Sequence, residues 1–331
     1  MAVCKYSIPS EECTVSTCCL MQASIHYLPN LSANATYLAI FSALFVLQAI
    51  LVLTYRTWKF SIPMLCGVLL EMVGYAARLW MRSEIFQPNP FILYLITLTI
   101  APALISASIY QSLGVVITKR DPLISRIKPT NYTPIFVSFD VVCLILQAAG
   151  GAWAAEGVRE EDRRKVPTGT HIMLGGLALQ VASLAAFMVL SSDYAVRYWK
   201  KHYAGTQKAR ALDDSYSEED RHVSPVQNFS FGLGLATVTI SIRCVFRVAE
   251  LQGGFGGRLA NDQVLFMVFE GPMIIIAVAV LTLFHPGRCL RVQPEALTAQ
   301  SPEQKPTRSV SVEVTEYDNS AVFRPLGSAF G

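Results

Sequence analysis

Seven ionisable side chains, Glu71, Arg78, Asp140, Arg243, Arg247, Glu250 and Glu270, stand in stretches of sequence that are otherwise almost wholly apolar. Carboxylates and guanidinium groups in such surroundings can pair with each other, receive a cationic head group, or carry protons. At bilayer depth each is costly unless it is paired or wet, so such groups mostly face the interior of a bundle. Their spacing agrees. On a helix turning about 100° per residue, Glu71 and Arg78 share one face, as do Asp140 and Gln147, while Arg243, Arg247 and Glu250 follow the i, i+4, i+7 pattern of a single stripe. Glu270 stands alone beside Gly271 and Pro272. Four acids face three bases, so a dry interior leaves one acid over, and a protonated carboxylate or a wet cavity is required. Other chemistries find little material here. The five histidines are scattered, with His171 and His285 at opposite ends of their spans, so no metal or metallohydrolase site is expected. No glycine-rich phosphate cradle and no nucleic-acid module is present, and neither a cofactor nor an enzymatic activity is expected.

The elements that must position these groups follow from composition. The chain has 331 residues, is 52% hydrophobic and 15% charged, and has a mean hydropathy of +0.40; soluble domains are about 25% charged. The apolar excess is organised into seven windows, 37–53, 61–80, 91–117, 134–155, 171–190, 229–251 and 264–284, against the ~20 residues a helix needs to cross a bilayer core. Lipid-exposed backbone must satisfy its own hydrogen bonds, which predicts an all-α membrane protein built as a seven-transmembrane helix bundle.

Connectors alternate sides, and of the 27 lysines and arginines 17 fall on the side reached after spans one, three, five and seven, 7 on the other side and 3 inside spans. The excess of positive charge on the inner side then puts the N-terminus outside and the C-terminus in the cytoplasm. The expected organisation is an extracellular segment over 1–36, the bundle over 37–288 and a disordered cytoplasmic tail over 289–331. No cleaved signal peptide is expected, because no charged n-region with a short apolar core opens the chain. The sequons at Asn30 and Asn34 fall outside and can carry glycans, whereas those at Asn131 and Asn228 fall inside and cannot. Cys4, Cys13, Cys18 and Cys19 crowd the same exterior segment, where an oxidising environment permits pairing. The acidic run Leu212 to His222, within the inner loop 191–228, reads as a disordered cytoplasmic segment whose Ser215 or Ser217 is open to phosphorylation.

Depth suggests which charges meet. At about 1.5 Å per residue, Glu71, Arg243 and Glu270 lie at one level, roughly 15 to 21 Å from the inner edge; Asp140 lies roughly 9 Å from it; Arg78, Arg247 and Glu250 form a layer nearer the exterior. Glu71 is therefore expected to face a central polar cavity beside Arg243. Gln48, Gln147 and Gln180 suit interhelical hydrogen bonds, and the pairs Gly150–Gly151 and Gly175–Gly176 suit close helix contact. Pro102 and Pro272 are expected to kink their spans, and "HPGR", from His285, to end span seven at the membrane surface.

Taken in order, "YLP" with the following Asn30, "LLEMVGYAARLW", "IAPALISASIYQSLGVVI", "FVSFDVVCLILQAAGGAWA", "GGLALQVASLAAF", "IRCVFRVAELQGGFGG" and "FEGPMIIIAVAVLTLFHPGR" resemble the fungal RTA-like family, the lipid-translocating exporters. The resemblance runs from Tyr27 to Arg288. It implies a seven-span protein of the plasma membrane that exports sphingoid long-chain bases or other toxic amphiphiles and so gives resistance to them, with membrane lipids or amphiphilic small molecules as partners and no nucleic acid. The substrate pathway under this reading is Glu71, Arg78, Asp140, Gln147, Gln180, Arg243, Arg247, Glu250 and Glu270. The alternative is a seven-helix receptor or lipid-stress sensor. Against it, span three ends in "GVVITKRDP" without an acid-Arg-aromatic triplet, and span seven lacks an Asn-Pro-x-x-Tyr run.

Overall fold

The computed structural model describes residues 13, 18–20, 23, 25–159, 164–212, 225–254 and 257–289. These form α1 (Leu31–Tyr55), α2 (Trp58–Ser83), α3 (Pro88–Arg120), α4 (Pro129–Arg159), α5 (Lys165–Leu212), α6 (Pro225–Gln252), α7 (Gln263–Phe269), α8 (Gly271–Leu283) and α9 (Pro286–Cys289), with one 3-10 turn at Pro122–Ile124 and no strand among the described residues. Seven stretches are long and apolar enough to span a membrane, the last of them Gln263–Cys289, made of α7 to α9. The chain is an integral, multi-pass membrane protein. Large apolar side chains line its outer faces: Leu53, Val189, Phe231, Val264 and Leu283 are each about two-thirds exposed or more, as a lipid solvent requires and water would not tolerate in such number.

Neighbouring spans pack in chain order, α1 on α2 through to α6 on α8, and α8 returns to α1, so the bundle is a closed ring; α3 also crosses to α6. α3 is the most enclosed span and α1 the least. Helix ends are set locally. Asn30 caps α1 by accepting from the Ala33 N–H at 3.1 Å, and Asp262 caps α7 through Val264 and Leu265. α1 begins at Leu31, ahead of the apolar window, and Cys18, Ala23 and Ile25 of the preceding segment are buried in the core. Cys13 and Cys18 form a disulfide, and Cys19 is disulfide-bonded as well.

Two expectations about helix length and contact are corrected. The segment after span five does not begin as a loop at 191: α5 runs 48 residues to Leu212, roughly 70 Å at 1.5 Å per residue, more than twice a ~30 Å hydrocarbon core. The acidic run from 213 lies outside the described residues, as does the tail from 290. The glycine pairs contribute one member each. At Gly150 an added Cβ would stand 2.5 Å from the Met173 nitrogen, and at Gly176 2.9 Å from the Cys143 carbonyl, whereas Gly151 has ordinary contact and Gly175 has nothing within 4 Å. Gly169, not singled out by its spacing, completes the seam, because its Cβ would meet the Ala154 nitrogen at 2.4 Å and the Gly150 oxygen at 2.5 Å. Those are main-chain atoms, which move only if a helix moves. Gly169→Ala should therefore lower stability by about 1–3 kcal/mol through overpacking of α4 on α5, while Gly175→Ala should be neutral or stabilising by up to ~1 kcal/mol through helix propensity. Thermal midpoints of the detergent-solubilised proteins check both; equal midpoints for the two variants would refute the assignment of the seam.

Candidate functional site

The polar interior is assembled where prolines and a broken helix expose main-chain groups. Pro102, inside α3, has no N–H, so the Leu98 carbonyl one turn earlier lacks its intrahelical donor. Arg243 of α6 takes that place: its Nη2 donates to Leu98 O at 2.5 Å and to Glu270 Oε1 at 2.5 Å. Glu270 is the break in span seven. It separates α7 from α8, with Gly271 and Pro272 opening the second segment, and the Tyr37 hydroxyl donates to Met267 O at 2.7 Å beside the interruption. Gly271 is required there, since a Cβ would stand 2.7 Å from the Tyr75 hydroxyl oxygen and 3.0 Å from the Tyr37 ring. A discontinuous helix at this depth is the arrangement in which several membrane transporters bind substrates and ions.

Arg247 pairs with Glu250 at 2.7 Å, one turn along α6, and its Nε lies 3.9 Å from Glu270 Oε1. Glu270 thus bridges two arginines, and all four groups are buried. Glu71 completes the layer without joining the network. It is fully buried, both of its carboxylate oxygens lack a hydrogen-bond partner among the described residues, and the charges nearest in effect are Arg243, Glu270 and Arg247. Of the two carboxylates at the level of Arg243, Glu270, presented by the break in span seven, takes the guanidinium.

Arg78 does not join the Arg247–Glu250 pair. Among the described residues it has no carboxylate within ion-pair distance. Its Nε donates to Asn34 Oδ1 at 3.1 Å and its Nη2 to the Tyr27 hydroxyl at 3.0 Å, and its guanidinium lies 4.0 Å from the Phe266 ring centroid and 5.1 Å from that of Tyr94. Aromatic faces stabilise a desolvated cation, so Arg78 is held by rings and amides instead of an acid. Asn34, one of the two exterior sequon asparagines, is engaged within the fold. It is fully buried, its Nδ2 donates to Asn30 O at 2.6 Å, and its Oδ1 holds Arg78. Asn30 is exposed and keeps its side-chain nitrogen open.

The remaining candidates form two separate contacts. Asp140 of α4 accepts from the Tyr110 hydroxyl of α3 at 3.1 Å, and its other oxygen has no partner. Tyr110 in turn packs on Phe187 with ring centroids 4.6 Å apart. Gln147 donates to Gln180 across α4 and α5 at 3.0 Å, and Gln48 to Thr282 at 2.9 Å, which fits their expected role as fasteners between helices. His285 stands at the end of span seven and is fully buried there, with Thr57 at 3.5 Å and the ring of Phe60 edge-on. A cavity of about 530 Å³ exists, but it is not at Glu71; it lies between the ends of α3, α5 and α6 that carry Arg120, Tyr198 and Gln227. Spacing alone overlooked the tyrosines. Tyr75 lies on the Glu71–Arg78 stripe, and Tyr27 stands in the first of the motifs quoted above, but neither carries a charge to draw attention.

Residues 64–293 match the family described as RTA1 like protein. The chain belongs to that family. It is 32% identical over 278 residues, 78% of this chain and 72% of the relative, to a Saccharomyces cerevisiae protein named sphingoid long-chain base transporter RSB1. It is 26% identical over 241 residues to Protein RTA1 of Saccharomyces cerevisiae, covering 72% and 70% of the two chains, and 28% identical over 232 residues to Protein RTM1, covering 68% of each. No solved structure matches the chain significantly. The matched region of the family contains Glu71 and every other ionisable residue of the polar interior.

Proposed function

We propose that this RTA1-like protein moves sphingoid long-chain bases, or amphiphiles with a similar cationic head, across the plasma membrane, and that Glu71 is the station at which the head crosses the midplane. The observation that carries this reading is the Glu71 carboxylate, fully buried and without a hydrogen bond or ion pair among the described residues. A buried carboxylate without a partner is expensive, and an arriving ammonium group supplies what the fold leaves out. The relative named as a sphingoid long-chain base transporter supports the same substrate class. Asp140, held by Tyr110 nearer the Arg120 end, suits an earlier station, while the Arg243–Glu270 pair at the broken span forms the element that a passing cation displaces. Arg78, closed in by Tyr27, Tyr94 and Phe266, bounds the path at the far end. The tail of the amphiphile stays between spans, and transport is facilitated or driven by a gradient.

Under this reading the Arg120 end, rich in Arg and Lys, faces the cytoplasm and Asn30 lies outside, as the excess of positive charge on the inner side supports. Glycosidase treatment of the protein expressed in a eukaryotic host should remove one glycan, carried by Asn30; Asn30→Gln should abolish it and Asn34 should carry none. A glycan on Asn131 would invert the topology. Leaflet-resolved movement of a labelled long-chain base in proteoliposomes containing only this protein tests the activity itself. Movement above the protein-free rate is expected; its absence would assign the protein to the sensor class.

A further inference from the structure

A cavity among α3, α5 and α6 lies apart from the Arg243–Glu270 network. It is an elongated cavity of about 530 Å³, within the ~300–1,000 Å³ range of small-molecule sites, bounded by Leu113 and Arg120 of α3, Phe187 and Tyr198 of α5, and Leu233 and Gly234 of α6. Its walls run along the helices: Leu113 to Arg120 and Phe187 to Tyr198 correspond to roughly 10 and 16 Å of rise, so the cavity is aligned with the bundle axis. The deep end is apolar, and the lining residues Trp199 and Phe231, 65% and 71% exposed, open it sideways to lipid between α5 and α6. At the other end stands Arg120, the last residue of α3, with its guanidinium 4.5 Å from the centroid of Tyr198.

Among the described residues, charge at that end is unbalanced. Asp121 is taken by Lys201, whose hydrogen bond holds the Asp121 carboxyl below the usual carboxylate range. Asp193 is taken by Arg126 and Arg197. Arg120 is left with a buried Nη2 that has no hydrogen-bond partner among the described residues. A membrane lipid in this leaflet places its head at the level of Arg120 and its chain toward the midplane, the same polarity as the cavity. We propose that this cavity binds a single-chain lipid with a phosphate head, its chain along Leu113, Phe187 and Leu233 and its phosphate on Arg120. One slot between two helices fits one chain. A phosphate matches the guanidinium fork, carries up to two charges, and has an acceptor to spare beyond what a carboxylate offers. A cationic long-chain base is repelled by Arg120, so this site is distinct from the Glu71 path and does not depend on it.

Gly234 permits a clean test, because a Cβ there meets nothing within 4 Å while the residue lines the cavity. Gly234→Leu fills the space without pressing on main chain. Native mass spectrometry of the full chain in detergent, titrated with lysophosphatidate, lysophosphatidylcholine, oleate and a long-chain base, reads the affinities. Lysophosphatidate is expected to bind at least tenfold tighter than each of the others; Arg120→Gln should erase that preference, Arg120→Lys should keep part of it, and Gly234→Leu should remove lysophosphatidate binding at an unchanged thermal midpoint. Equal binding of lysophosphatidylcholine, a preference retained in Arg120→Gln, or binding unaffected by Gly234→Leu would overturn the site. Oleate binding as tightly as lysophosphatidate would overturn the phosphate assignment. Base transport by Gly234→Leu in proteoliposomes reports separately on the Glu71 path.

Discussion

Glu71→Gln is expected to reduce transport of a long-chain base in proteoliposomes to the protein-free rate while leaving expression, membrane delivery and thermal midpoint unchanged. The separation of the two effects follows from the geometry. Among the described residues Glu71 makes no hydrogen bond and no ion pair, so its replacement by a neutral isostere breaks nothing that holds the bundle together; it removes only the charge an ammonium head would meet. A purely structural Glu71, present to neutralise Arg243, requires the opposite result: Glu71→Gln would destabilise the fold, and Glu71→Gln combined with Arg243→Gln would restore both folding and transport. The structure argues against that rescue, because Arg243 is already held by Glu270 and by the Leu98 carbonyl. Recovery of transport in the double variant would sink the station assignment.

Glu270→Gln should behave as a folding variant. Glu270 lies 2.5 Å from Arg243 and 3.9 Å from Arg247, and removing one partner of a buried pair leaves an uncompensated charge, at a cost of about 3–5 kcal/mol. The expected outcome is a large fall in thermal midpoint and in yield. Glu250→Gln should cost less, because Arg247 keeps Glu270 within 4 Å. If the Glu270 variant is as stable as the wild type, the network around the broken helix is not what fastens α6 to span seven. A reading of the pair as a displaceable lock adds one more expectation: Glu270→Gln molecules that do fold should leak substrate without directional preference, measured as equal rates for base loaded in either leaflet.

The contrast between Glu71 and Glu270 shows where sequence reasoning stops. Both are carboxylates on apolar spans at the same computed depth, and both are within reach of Arg243 by level alone. Which of them takes the guanidinium depends on how each helix is rotated and on what interrupts it. Glu270 is turned toward Arg243 by the break before Gly271 and Pro272, and Arg243 is further anchored by the carbonyl that Pro102 leaves free. Both prolines are visible in the chain; their meeting with one arginine is not. Arg78 makes the same point from the other side. Its stripe with Glu71 is legible from spacing, yet its actual partners, Tyr27, Asn34, Tyr94 and Phe266, come from four other segments.

By itself the sequence determined the seven spans, the interior-facing stripes and the residues that had to be buried, because hydropathy and the 3.6-residue period are local properties that a lipid solvent enforces without exception. It also determined membership of a family, through motifs in a fixed order. Tertiary structure alone decided the pairing: that Glu71 is left open, that Asn34 is buried as a partner of Arg78, that Gly169 closes the α4–α5 seam, and that the cavity lies beside Arg120. These outcomes depend on lateral order, helix rotation and side-chain reach among segments far apart in the chain, and contacts of that kind are set by the packing of the whole bundle, not by any one span.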